Sequence, residues 1–289
     1  MRDILTSPRM EDMKRKRRAY ILRLSILITI LVLSMISALA YFSNDRRITI
    51  HTVEVRGTRI INASDVEQEV REDLSGKYVY IFARSNTLIY PHDKIQRELV
   101  RDFPRIETIN VSRVGWNKIR ISITERAGEF LYCGSQIPEQ ENNKGENCYF
   151  VNNEGYIFDK APYFSGDIYF KYYLSLPENA QSPLSVNMLI PDRFHQMTRF
   201  IDRITLLGFK PVYIVMANDG TNSLYLSRGL NNVNPKIIFK DDNDLSKILE
   251  NIATAMRKPE FAKEINYKYD KLLYIDLRFN NKVLYKFNE

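Results

Sequence analysis

His51–Gly76 reads HTVEVRGTRIINASDVEQEVREDLSG, and within it the hydrophobic period changes once. From His51 to Arg56 apolar and polar side chains alternate, which predicts a strand ending at Gly57. Ser64-Asp-Val-Glu67 then has the S-x-x-E spacing of a capping box. Val66, Val70 and Leu74 follow at helical spacing, and Gly76 suits the position just past a helix end.

Working outward, an irregular aromatic stretch (Lys77–Asn86, KYVYIFARSN) separates this helix from a second one. Pro91 suits the first turn of that helix, Ile95, Leu99 and Phe103 form its stripe, and Pro104 stops it. Two strands follow, Ile106–Val114 and Lys118–Glu125, with a bend at Gly115-Trp116-Asn117. Ile119, Ile121 and Ile123 share one face of the second. Strand–helix–helix–strand–strand, with one apolar stripe per helix, predicts two helices on one side of a three-stranded sheet. The first and last strands are extended and of similar length, so they are expected to pair.

On the N-terminal side, Leu24–Phe42 is LSILITILVLSMISALAYF, an uncharged run. Ala19–Leu22 lengthens it, with Arg23 able to snorkel, and about 20 apolar residues span a bilayer. Tyr20 and Tyr41-Phe42 stand at its ends, where aromatic rings favour the headgroups. Lys14-Arg15-Lys16-Arg17-Arg18 precedes it, which places the N-terminus in the cytoplasm and the chain after Ser43 outside. The competing reading is a cleaved leader, with Ala38-Leu39-Ala40 as cleavage site, but a leader's apolar core is about 7–15 residues. The same tail accounts for the net charge of +7. Ten of the 42 Lys/Arg but four of the 35 Asp/Glu lie in residues 1–47, which leaves 32 against 31 in the rest. The body carries no electrostatic footprint for nucleic acid.

Beyond residue 127, short strand-like runs dominate: Glu129–Cys133, Cys148–Val151, Tyr156–Asp159, Ile168–Leu174, Pro211–Ala217, Ser223–Ser227 and Lys236–Lys240. Asn152–Gly155 is the hairpin turn between the second and third. Two helices interrupt them. One carries Ile190, Phe194, Met197, Ile201 and Ile204 and ends at Gly208. The other carries Leu245, Ile248, Ile252 and Met256, with Asp242 or Asn243 as its cap. The chain closes on Tyr274–Phe287, YIDLRFNNKVLYKF, a strand, an Asn-Asn turn and a last strand. Cys133 and Cys148 flank a polar loop: they form a disulfide at the hairpin base or stand as two small buried hydrophobes. The fold class expected is α+β, a mixed sheet with two helices following the smaller unit.

Chemistry is sparse. His51, His92 and His195 show no metal-ligand spacing, and there is no G-x-S-x-G and no glycine-rich phosphate loop. No enzymatic activity, cofactor, metal or small-molecule substrate is expected. Arg278 either lies near a bound partner or forms a salt bridge, to Asp276 or to a cross-strand acid, on a solvated face. Phe279 either anchors a partner side chain or packs in the core with Ile275 and Leu277. Asn281, Lys282, Val283, Leu284, Tyr285 and Lys286 make up the expected contact edge, with Val283, Tyr285 and Phe287 facing the core and the Leu284 N–H a candidate to face the partner.

Four stretches in order behind one span resemble the FtsQ/DivIB family of bacterial cell-division proteins. They are Val53–Val70, the Glu125-Arg126 dipeptide, Tyr149–Phe158 (YFVNNEGYIF) and Tyr274–Phe279 (YIDLRF). Ala127-Gly128, Asn152 and Lys282 depart from the family's usual Pro, Asp and Gly. The resemblance implies a cytoplasmic tail (1–18), a transmembrane helix (19–42), a POTRA domain (48–126) and a C-terminal β-domain (127–289). It also implies a scaffold at the division septum that holds an FtsB/DivIC- and FtsL-type pair by strand addition to its last strand. The alternative is a POTRA-bearing protein of another envelope assembly or export system.

Overall fold

The computed structural model describes residues 8–137, 147–164, 166–177, 182–227, 234–241, 244–279 and 282–288. They form two compact units, one ending at Glu125 and one beginning at Arg126. The class is mixed α+β, with one long apolar N-terminal helix and a large, mostly stranded sheet.

The first unit opens with helix α1 (Pro8–Ser43). Its Met13–Ser43 part reaches a mean hydropathy of 2.3 and is long and apolar enough to cross a membrane. Next come β1 (Thr52–Arg56), α2 (Ala63–Leu74), the two-residue strands β2 (Lys77–Tyr78) and β3 (Phe82–Ala83), α3 (His92–Asp102), β4 (Ile106–Arg113) and β5 (Lys118–Glu125). The sheet order is β1-β5-β4. β5 is central, parallel to β1 and antiparallel to β4. That position explains its sequence: Ile119, Ile121 and Ile123 are buried together with Val66 and Val70 of α2 and Ile95 and Leu99 of α3. Each such side chain taken from water contributes about 1.5–3 kcal/mol.

Two local devices differ from expectation. The cap of α2 is Asn62, whose Oδ1 accepts from the Ser64 N–H at 3.3 Å. Ser64 therefore lies inside the helix, and Glu67 pairs with Arg71 instead of closing a capping box. An Asx side chain two residues upstream reached the free N–H groups first. Glu125 has a structural task as well: its carboxylate accepts from the N–H groups of Arg59, Ile60 and Ile61 at 2.6–3.0 Å and holds the β1–α2 loop. Burial opposes its ionisation, but those three bonds outweigh it and keep the carboxyl below its usual pKa.

The second unit is built on a ten-stranded sheet. Its strands are β6 (Phe130–Tyr132), β7 (Tyr149–Val151), β8 (Tyr156–Lys160), β9 (Phe170–Leu174), β10 (Val186–Asn187), β11 (Pro211–Met216), β12 (Thr221–Leu226), β13 (Lys236–Lys240), β14 (Leu272–Asp276) and β15 (Leu284–Phe287). The order is β10-β8-β7-β6-β9-β11-β12-β13-β14-β15. A core built on Phe194, Phe200 and Ile204 of α4 (Pro191–Leu206), with Ile248 and Ile252 of α5 (Leu245–Arg257), lies against the strands. The cap of α5 is Asp244, whose Oδ1 accepts from Ser246 N–H at 2.9 Å. Asp242 and Asn243 lie outside the described residues.

Two helices were expected in this unit, and there is a third, α6 (Pro259–Tyr267), followed by a 3-10 turn at Tyr269–Lys271. Lys258-Pro259 breaks the chain after α5, and the proline starts α6, where its missing N–H costs nothing. Phe261 and Ile265 are its i, i+4 inner pair, partly and fully buried. The Asn152 side chain accepts from the Glu154 and Tyr156 N–H groups and shapes the β7–β8 hairpin. Cys133 and Cys148 form a disulfide beside β6 and β7.

Removing that disulfide with a Cys133→Ser/Cys148→Ser pair should cost roughly 3 kcal/mol in urea unfolding, the amount expected for a loop of about 15 residues; an unchanged midpoint would contradict it. Gly57 has φ +89°, and a Cβ there would sit 2.0 Å from the Ile123 carbonyl oxygen. Gly57→Ala should therefore destabilise the first unit by about 3 kcal/mol or more in the same assay.

Candidate partner-binding edge

β15 closes the sheet. β14 pairs with it antiparallel, through Ile275↔Tyr285 and Asp276↔Leu284, and among the described residues no strand pairs with its other side. The direction of its backbone groups follows from one bond. The Asn288 N–H donates to the Lys271 carbonyl at 2.7 Å. Backbone groups alternate along an antiparallel strand, so Lys286 and Leu284 also face β14, while the N–H and C=O of Tyr285 and Phe287 point to the open side. The Leu284 N–H, a candidate for the partner side in the sequence, is therefore on the inner ladder. Leu273, the extra residue at the irregularity between Leu272 and Tyr274, falls on β14 and leaves the parity of β15 intact.

Other edges exist, and their chemistry differs. The opposite edge of this sheet, β10, has two residues. In the first unit β4 is an edge strand, but its exposed positions are Glu107, Thr108, Asn110 and Arg113. Short length and charge are the usual protections against edge pairing. β15 instead exposes Leu284 (47%) and Tyr285 (39%), with Phe279 (50%) just before it.

The side chains of β15 divide as the alternation requires. Val283 and Phe287 are partly buried against the core. Tyr285, on the same face, meets the Phe261 ring of α6 edge-on at 5.1 Å, and its hydroxyl donates to Glu264 at 2.9 Å. That bond raises the tyrosine pKa. Glu264 is held below its usual value first by Lys268 and then by the tyrosine hydroxyl. Beside this cluster lies a groove of about 410 Å³ between α5, α6 and Val283, lined by Asn251, Thr254, Ala255, Lys258 and Phe261 among others. Leu284, Lys286 and Lys282 are exposed. Asn281 lies outside the described residues.

Arg278 takes the ion-pair role. Its Nη2 meets Asp276 Oδ2 at 2.6 Å, and its own backbone N–H donates to Asp276 Oδ1 at 3.0 Å. Burial disfavours the charged Asp276, but the arginine side chain and N–H reverse the balance and hold its carboxyl below the usual range. Phe279 does not continue the buried parity of Ile275 and Leu277: the strand ends at Asp276 and the chain turns. The sequence reading missed α6 altogether, and with it Phe261, Glu264 and Lys268. Their signal was present in Pro259 followed by the Phe261/Ile265 spacing.

The three histidines sit apart. His51 contacts Thr49, His92 contacts Asp93, and His195 contacts Glu154. Among the described residues no group of three or more His, Cys, Asp or Glu could hold a metal. No protein-family model matches the sequence, and no curated protein matches it.

The Asp276 pair gives a pH prediction with a definite sign. A depressed folded pKa contributes stability that is complete above the unfolded value of about 3.9 and lost as pH falls through the folded value. Arg278→Ala should cost about 1–2 kcal/mol near neutrality. It should also move acid unfolding of this unit to higher pH, followed by near-ultraviolet circular dichroism. Unchanged acid unfolding would show that the pair holds nothing in place.

Proposed function

We propose that this chain is a membrane-anchored, non-enzymatic scaffold of the bacterial divisome, of the FtsQ/DivIB kind. Its first unit, after α1, takes the part of the POTRA domain, and its second unit is the capturing β-domain. The observation that carries the reading is β15: an edge strand whose outer side no strand covers among the described residues, with apolar side chains in solvent, following the last stretch of the chain that resembles that family. A partner strand laid on this edge gains main-chain hydrogen bonds from the outward groups of Tyr285 and Phe287. The groove beside Phe261 and Val283 receives one of its side chains and supplies selectivity.

The partner class is the FtsB/DivIC and FtsL pair, which supplies an extended segment next to a coiled coil. Arg278 acts through Asp276, holding the end of β14 against which the edge strand is registered. Leu284, Tyr285, Lys286, Lys282 and Phe279 present side chains to the added strand. α1 anchors the chain in the cytoplasmic membrane, with the Lys14–Arg18 cluster inside and both units outside, where a disulfide persists. Placement at the division septum follows from the partner.

The test is a pull-down of the full chain in detergent micelles with the extracytoplasmic segment of an FtsB/DivIC-type protein. Tyr285→Pro removes an outward N–H and should abolish capture while the circular dichroism spectrum stays that of the wild type. Leu284→Pro breaks the inner ladder and should lower stability as well. Capture surviving a truncation after residue 281 would refute strand addition. No capture by the wild type would move the function to another envelope assembly system.

A further inference from the structure

The aromatic stretch between α2 and α3 forms a short hairpin, β2–β3, whose tip is Val79-Tyr80-Ile81. Tyr80 is 95% exposed and Val79 78%, and Ile81 is also exposed. Both Val79 (φ +47°) and Tyr80 (φ +62°) take left-handed backbone conformations. Such a turn is normally filled by Asn-Gly, and a β-branched valine there is strained. The chain therefore carries two large apolar side chains at a position where polar ones fold more easily. Strain of that sort persists where the side chains are used.

The place of the hairpin tells what uses them. It is strapped to the end of α1. The Ser43 Oγ accepts from the Ala83 N–H at 3.2 Å, the Asn86 side chain donates to the Ser43 carbonyl at 3.1 Å, and the Asn44 side chain donates to the Ile81 carbonyl at 3.2 Å. Ser43 and Asn86 are buried by these contacts. The apolar run Leu24–Phe42 is about 28 Å long as a helix, close to a bilayer core of about 30 Å. Its last turn exposes Tyr41 and Phe42, rings suited to the interface. The hairpin is tied within two residues of that level. Arg46, Arg47 and Lys77 are exposed around it, suited to anionic headgroups.

We propose that the Val79–Ile81 tip inserts into the outer leaflet of the bilayer that α1 spans, as a second membrane contact that fixes the tilt of the first unit on the membrane surface. The proposal rests on the reading of α1 as a membrane span. The insertion is shallow, because the hairpin's short strands leave no room for more than the tip.

The experiment uses the full chain in phosphatidylglycerol/phosphatidylcholine vesicles. The single tryptophan is first removed (Trp116→Phe), and one reporter is then introduced at a time: Tyr80→Trp at the tip, Leu31→Trp within α1, and Ile60→Trp in the loop after β1. Ile60 is 67% exposed and lies beside Glu125, at the opposite end of β5 from residue 118, which pairs with the start of β1. Fluorescence is read with lipids brominated near the glycerol backbone or deep in the chain. Tyr80→Trp should emit to the blue of Ile60→Trp and lose most of its emission to the shallow bromines, while Leu31→Trp responds to the deep ones. A quenched Leu31→Trp with an unquenched Tyr80→Trp overturns the insertion and leaves the span in place. An unquenched Leu31→Trp overturns the span and the insertion with it.

Discussion

In a β-sheet every backbone N–H and C=O that points sideways needs a partner, and at the last strand half of them have none from within the sheet. The ten strands of the second unit satisfy this need internally from β8 to β14. At the two ends the chain responds differently. β10 reduces the number of open groups by being two residues long. β15 is longer, keeps its outward groups, and sets exposed apolar side chains beside them. The unit is otherwise organised to hold that strand still. The Asp276–Arg278 pair ties down the end of β14, the bond from Asn288 to Lys271 fixes the end of β15, and α6 supports one face through Phe261 and Glu264. An edge held in one register is a better template than a loose one, because less order has to be imposed when a partner arrives.

The first unit obeys the same constraint with less to spare. Its central strand β5 is apolar on one face and buried by two helices. Its end is tied to the β1–α2 loop by the Glu125 carboxylate. Glu54 on β1 is held at a pKa of about 2, chiefly by Lys118, with Arg56 and Arg120 adding to the effect. These contacts brace both ends of the parallel β1–β5 pair.

Much of this was legible because period and punctuation agreed. Ile119, Ile121 and Ile123 gave the face of β5, Ile95 and Leu99 the stripe of α3, and Gly57 and Gly155 the turns. The cap of α2 was misplaced because Asn62 and Ser64 are both good caps two residues apart, and geometry decides between them. Helix α6 was missed because it is short and its apolar pair is partly hidden by the preceding helix pattern. The position of Phe279 was not legible from alternation, since the strand stops before it. At the edge itself, the sequence showed which residues alternate. Which of their N–H groups face outward depends on how β15 bonds to β14, fixed by the Asn288 N–H to Lys271 carbonyl bond and the Ile275↔Tyr285 pairing, which no local pattern announces.

The role proposed for β15 is that of an open, pre-registered edge that accepts a partner strand. Residue-resolved amide hydrogen exchange on the full chain tests it most directly. In the free protein the Tyr285 and Phe287 N–H groups should exchange quickly and those of Leu284 and Lys286 slowly. On adding an FtsB/DivIC-type segment, Tyr285 and Phe287 should become protected while the other two stay as they were. Uniform exchange along Leu284–Phe287 in the free protein, or no new protection at Tyr285 and Phe287 with the segment bound, would contradict the account.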